Sequence, residues 1–229
     1  MKKLDDDLLA EMAQLLSVDE RDEMAIPSYR HKNPLLRWMA WRRVEVLINH
    51  METTVQSIPR LQTGRAVMDF GCGTGVFFPA EAACFDQIYG VDLALGAAQL
   101  HLQKRTYPST AIKLCQPEEA QHIIPDHSLD IIVAAEVLEH ISPLDDTLDF
   151  FWRKLRGDGR LLITVPTENR LYQFGRKLSG FEKHFHVDHA ASIHSTIQSR
   201  RFQSLKIAKI PFIAPFDIYW LVEYKPDPI

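Results

Sequence analysis

Five short apolar, β-rich runs recur along the middle of this chain, and longer amphipathic stretches separate them. The runs lie at residues 66–70, 87–92, 111–114, 129–134 and 160–165. Most are nearly continuous in hydrophobic residues, as strands covered on both faces must be. The intervening stretches, at residues 76–84, 95–104, 118–123 and 144–155, carry helical periodicity. Strand–helix alternation of this kind predicts an α/β fold, a parallel sheet with helices on both faces. Gly157-Asp158-Gly159 reads as a turn closing the last of these helices.

The two ends of the chain differ from this middle. Near the start, Leu4, Leu8, Met12 and Leu15 recur at helical spacing. A break at Pro27-Ser28 follows, then a second helix over residues 35–51 with a broad apolar face and an Arg42-Arg43 pair. Near the end, residues 187–201 read as a helix. Residues 202–210 and 218–225 read as two strands joined by a short Pro-containing connection, which makes them antiparallel. The division expected is a helical extension over residues 1–62 and an α/β unit over 63–229.

At 229 residues, with 46% hydrophobic and 24% charged residues, the chain has ample material for a core. Its net charge of −4 and pI near 6.2 give no general reason to sit on nucleic acid. The three cysteines, Cys72, Cys84 and Cys115, form no CxxC pair and are odd in number, which suits a reducing cytoplasm better than a disulfide framework. No signal-peptide pattern and no apolar run of membrane-spanning length is visible.

The first strand runs directly into glycines, as Val67-Met68-Asp69-Phe70-Gly71-Cys72-Gly73-Thr74-Gly75. Glycines at a strand-to-helix turn let backbone approach a ligand where a Cβ would collide. Asp69 sits just inside the strand end, and Asp92 ends the next strand, where a carboxylate can accept hydrogen bonds from ribose hydroxyls. The spacing is not that of nicotinamide binders, because Val76 stands where their third glycine falls. The Gly-Lys-Ser/Thr of a P-loop is missing as well.

Asp69-Phe70-Gly71-Cys72-Gly73-Thr74-Gly75 closely resembles the first motif of the class I, Rossmann-like S-adenosylmethionine (SAM) dependent methyltransferases. Asp92-Leu93 resembles their second motif, and residues 128–140 resemble their fourth strand and the loop after it. Residues 155–161 are similar to their turn into strand five. The resemblance covers roughly residues 63–225. It implies a three-layer sandwich on a mostly parallel seven-stranded sheet with an antiparallel last strand. It also implies SAM as cofactor, held by Asp69, Gly71, Cys72, Gly73, Gly75, Asp92, Leu93, Gln116, Pro117, Ala134 and Glu136. Gln116 departs from the usual acidic residue, but its side-chain oxygen can accept the adenine amino hydrogen bond.

The type most resembled acts on small molecules, as in ubiquinone biosynthesis. The expected partner is therefore a small acceptor, hydrophobic ones included, methylated on O or N, and the expected assembly a monomer or homodimer. RNA or protein methylation, and a non-catalytic binding module, are the alternatives. Methyl transfer from a sulfonium expels a neutral thioether, so a base matters only where the acceptor must lose a proton. His140 is the candidate for that role. No metal is expected. The alternative is that Glu136-x-x-Glu139-His140, with His184, His186 or His189, holds a divalent ion, as in some O-methyltransferases. Tyr29, Arg30, His31 and Trp38 are candidate lid contacts, and residues 166–174 a candidate acceptor loop. Arg42-Arg43 and the other basic pairs read as solvated surface.

Overall fold

A computed structural model describes residues 3–167, 190–210 and 217–228. Seven strands form one sheet in the order β3-β2-β1-β4-β5-β7-β6. They are β1 (Ala66–Phe70), β2 (Gln87–Val91), β3 (Ala111–Cys115), β4 (Leu129–Ala135), β5 (Leu155–Pro166), β6 (Phe202–Ile210) and β7 (Tyr219–Pro226). The pairs among β1 to β5 are parallel, whereas β7 runs antiparallel to both β5 and β6. The order reverses between β1 and β4, so that a crevice opens beyond their carboxyl ends.

The central strands explain the continuous apolar runs. Side chains of β1 and β4 alternate between two cores, one on each face of the sheet. One core takes Val67, Ile131 and Val133, with α5 (Phe78–Cys84) and α6 (Gly96–Lys104). The other takes Met68, Ile132 and Ala134, with α7 (Pro117–Ile123), α8 (Asp145–Lys154) and α9 (Ala190–Gln198).

The N-terminal helices join the first core. They are α1 (Asp6–Leu15), α2 (Val18–Glu23), α3 (Ile26–Tyr29) and α4 (Pro34–Ser57). Leu9, Met12, Leu47 and Met51 are buried in the same cluster as Val67 and Ile131. On α4, His50 Nε2 lies 2.7 Å from the Glu223 carboxylate of β7, so a polar contact crosses this packing as well.

Some boundaries differ from expectation for local reasons. Pro27 does not break the chain; it sits in the first turn of α3, where a missing N–H costs nothing. The chain turns at Ala25 instead, at φ 55°. Helix α4 continues to Ser57, well past residue 51. Gly157-Asp158-Gly159 belongs to β5, which starts directly after α8. The register jumps from Leu129↔Leu155 to Ile131↔Arg160, so these glycines form a bulge inside the strand rather than a turn before it. Residues 187–189 of the expected last helix and residues 211–216 of the Pro-containing connection lie outside the described residues.

Asp130 pins this bulge. Its carboxylate is buried, accepts the Ala66 N–H at 2.8 Å and pairs with Arg156. Arg156 also donates to the Pro59 carbonyl at 3.3 Å and to Asp158 at 2.9 Å. One ion pair thereby ties the starts of β1, β4 and β5. Asp130→Ala leaves a buried guanidinium short of its main partner, so a loss of about 3 kcal/mol is expected in urea unfolding.

Candidate functional site

The turn after β1 is held by the end of β2. The Gly71 and Cys72 N–H groups both donate to the Val91 carbonyl, at 2.8 and 3.1 Å. Gly73 N–H donates to Asp92 Oδ2 at 2.8 Å, and Ala94 N–H to Asp92 Oδ1 at 3.0 Å. Gly71 has φ 79°, and a Cβ there would come within 2.7 Å of Val137, so only glycine fits. Gly75 has φ 68°, and a Cβ would strike the Phe78 ring at 2.5 Å.

Over this turn lies a cavity of about 590 Å³, a volume suited to one small ligand or cofactor. It extends from Leu93 and Glu118 at one end to Glu136, His140 and Thr164 at the other. Of the residues expected at the site, Gly71, Cys72, Gly73 and Asp92 form its floor, and Leu93, Pro117, Glu136 and His140 its walls. Leu93 is 73% exposed, an apolar side chain standing at the rim. His140 ends a 3-10 turn, Leu138–His140, and its side chain is exposed.

Four expected residues sit elsewhere. Ala134 is fully buried in the core of the opposite face, and the cavity wall is its neighbour Ala135, because successive strand residues face opposite ways. Gln116 lies off the cavity. Its Nε2 donates to the Leu93 carbonyl at 3.2 Å and its N–H to Glu119 at 3.2 Å. The carboxylate on that side is Glu118, two residues later. Gly75 is buried against α6. Asp69 is fully buried behind the turn, and neither carboxylate oxygen has a hydrogen-bond partner among the described residues. Burial, with the Asp92 charge nearby, pushes its pKa up to about 8.

The cavity roof comes from the N-terminal helices. Glu23, Met24 and Ala25 cover the glycine turn, and Tyr29, Arg43 and Val44 close the inner end. Burial raises the pKa of Glu23, with Asp19, Asp92 and Glu20 adding to the effect. Of the other lid candidates, Arg30 pairs with Asp6 at 3.0 Å. His31 Nδ1 accepts the Asn33 N–H at 3.0 Å, and Trp38 is 44% exposed away from the cavity.

Arg43 is the residue that a surface reading of its basic pair misplaces. Arg42 does meet its partner Glu45 near the surface. Arg43, by contrast, is buried and ion-paired with Glu136. Its guanidinium lies 5.7 and 5.3 Å from the rings of Tyr29 and Tyr219, and it donates to the Tyr219 hydroxyl at 3.2 Å. The signal was its position: Ala40, Val44 and Leu47 put it on the buried stripe of α4.

Glu136 is fixed from three sides. It adopts φ 53°, uncommon for a non-glycine residue. Its N–H donates to the Thr164 carbonyl at 2.8 Å, and the Thr164 hydroxyl donates to its Oε1 at 3.2 Å. Arg43 takes Oε2. Among the described residues, no group of three or more His, Cys, Asp or Glu side chains stands together as metal ligands would. His184, His186 and His189 lie outside the described residues, as do residues 168–174 of the candidate acceptor loop.

The site accordingly offers a nucleoside-sized cavity with a carboxylate at the β2 end and an apolar side chain beside it. Those features fit SAM, whose ribose hydroxyls and adenine need such partners. Residues 40–223 match the methyltransferase domain family, and the chain belongs to that family. Over 113 residues it is 31% identical to a ubiquinone biosynthesis O-methyltransferase of Aromatoleum aromaticum, a match that covers 46% of this chain and 46% of that one. The chain thus matches less than half the length of this relative. A similar fold occurs in the N-methyltransferase NodS of Bradyrhizobium japonicum, solved in complex with S-adenosyl-L-homocysteine (SAH): TM-score 0.63, 16% identity, covering 96% of this chain and 99% of that one. It occurs also in the magnesium protoporphyrin IX methyltransferase of Synechocystis: TM-score 0.62, 17% identity, covering 91% of this chain and 94% of that one.

Asp69 supplies a pH test. A carboxyl whose folded pKa of about 8 exceeds its ordinary value of 3.8 holds its proton more tightly when folded. The resulting stability is full below pH 3.8 and is lost as pH rises through 8. Asp69→Asn removes the Asp69 share of this dependence; the nearby Glu81 carboxyl, which burial and the Asp69 charge also push up, keeps its own. The ligand-free variant should melt like the parent at pH 4 and progressively higher than it up to about pH 8, read by thermal melts across that range.

Proposed function

We propose that the chain is a SAM-dependent methyltransferase acting on an O or N atom of a small acceptor. The observation that carries this reading is the double use of Asp92. It fastens the glycine turn through Gly73, and it leaves carboxylate lone pairs at the cavity floor where the sheet order reverses. The kinship with the O-methyltransferase above and the likeness to an N-methyltransferase fold support it.

When bound, SAM supplies an electrophilic methyl on a sulfonium. The chain's own groups divide the remaining work. Asp92 accepts from ribose hydroxyls, and Leu93 covers the adenine face, an area now exposed to water. Beyond the turn, Glu136, Thr164, Tyr29 and His140 surround the space left for an acceptor. Glu136 is bound to Arg43 and Thr164; His140, exposed on the cavity wall, is the group we assign to take a proton from a hydroxyl or an ammonium. The N-terminal helices, residues 1–62, act as lid and acceptor wall over the unit formed by residues 63–229. No helix among the described residues is long and apolar enough to cross a membrane. With three free cysteines, two of them buried, a cytoplasmic location suits the protein.

SAH should raise the melting temperature, and NAD should leave it unchanged. Asp92→Ala and Gly73→Val should both abolish the SAH shift; survival of the shift in both would refute the site. Labelled SAM offered with extracted metabolites then identifies the acceptor. With that acceptor, His140→Ala should lower kcat about 10²-fold or more near neutral pH if His140 is the base.

A further inference from the structure

His101 lies on α6, behind the glycine turn and outside the cavity lining. It is fully buried, and both of its ring nitrogens are occupied. Nδ1 lies 3.0 Å from the Thr74 carbonyl, and Nε2 lies 2.8 Å from the Tyr107 hydroxyl. A carbonyl can only accept, so Nδ1 carries the proton. In the neutral ring Nε2 then accepts from Tyr107. The tautomer follows from the partners, and the result is a directed chain from Tyr107 O–H through the imidazole to Thr74.

The local sequence makes room for this arrangement. Ala97 and Ala98 keep α6 close to the sheet one turn before His101, and Phe78 packs on the ring at 5.5 Å between centroids. A Cβ on Gly75 would lie 3.0 Å from His101 Nδ1. Glycine is therefore required at that position partly because the imidazole occupies the space. Burial holds the ring's pKa below its ordinary value, in keeping with a neutral ring.

Thr74 is itself a cavity residue, standing between Gly73 and Gly75. Of the turn's other contacts, Gly71 and Cys72 donate to Val91 and Gly73 to Asp92, toward β2, while the Gly75 N–H donates to the Cys72 carbonyl at 2.7 Å within the turn. The Thr74 carbonyl is the point at which the second half of the turn is anchored to α6. We infer that His101, oriented by Tyr107, is a positioning residue that sets the Thr74–Gly75 peptide of the turn and thereby cofactor affinity. This rests on the cofactor reading above but uses atoms that would not touch the cofactor.

Isosteric replacements separate positioning from packing. Asn places its amide nitrogen where Nδ1 stands and keeps the bond to Thr74. Gln reaches instead to the Nε2 position and abandons Thr74. His101→Asn should hold SAH within about threefold of the parent, and His101→Gln should weaken it about tenfold or more, measured by calorimetry. Tyr107→Phe, which releases the tautomer, should fall between them. Hydrogen exchange of the 73–75 amides in ligand-free protein is the second readout, and His101→Gln should accelerate it more than His101→Asn. Equal SAH affinity and equal exchange in the Asn and Gln variants would overturn the inference. If the parent fails to bind SAH while exchange still separates the two variants, the positioning role stands and the cofactor reading falls.

Discussion

Two backbone N–H groups, from Gly71 and Cys72, converge on the carbonyl of Val91. That convergence fixes where the chain goes after its first strand, and much else follows from it. β1 and β2 are neighbours, so the turn leaving one is tied to the end of the other. The backbone can reach Val91 only with glycines at left-handed φ, and Asp92, the next residue, then lies within reach of Gly73. The buried Asp69 carboxyl is a by-product of the same geometry. A strand that ends under a turn this tight leaves its last polar side chain out of water.

The second organising contact is between Arg43 and Glu136. It joins a residue from the buried face of α4 to one from the loop after β4. Desolvating a guanidinium costs several kcal/mol unless its donors are used, and here a carboxylate and a tyrosine hydroxyl accept while two aromatic rings flank it. Glu136 is held in a left-handed conformation by Thr164 at the same time. The N-terminal helices thus line the cavity and share a core with the sheet.

Where the sequence was legible, one physical signal governed. β1 ends where its apolar run ends, and β2, β3 and β4 differ from theirs by one residue, because central strands covered on both faces admit few polar residues; β6, an edge strand carrying Gln203, Lys206 and Lys209, keeps its expected bounds without such a run. The glycine turn and Asp92 were legible because few residue types satisfy that backbone. Other features needed three dimensions. Gly-Asp-Gly marks turns and bulges alike, and only the pairing of β4 with β5 chooses between them. Ala134 and Ala135 are identical in type, and which one faces the cavity depends on strand register. The Arg42-Arg43 pair is ambiguous in sequence, and the buried stripe of α4 assigns Arg43 to the interior and Arg42 to the surface. His101 carried no motif at all, since its partners lie 27 and 6 residues away.

The walls of the cavity differ in how firmly they are fixed. α4 is anchored by Leu47, Ile48 and Met51 in the core, and β4 by its neighbours on both sides. α2 has no buried residue, and its own order comes from a capping box between Ser17 and Glu20. It nonetheless contributes Glu20 and Glu23 to the cavity. Displacing α2 exposes little apolar surface, so it is the wall that moves at least cost. The cavity therefore has one side held by hydrogen bonds within a helix of six residues and another held by the core of the sheet.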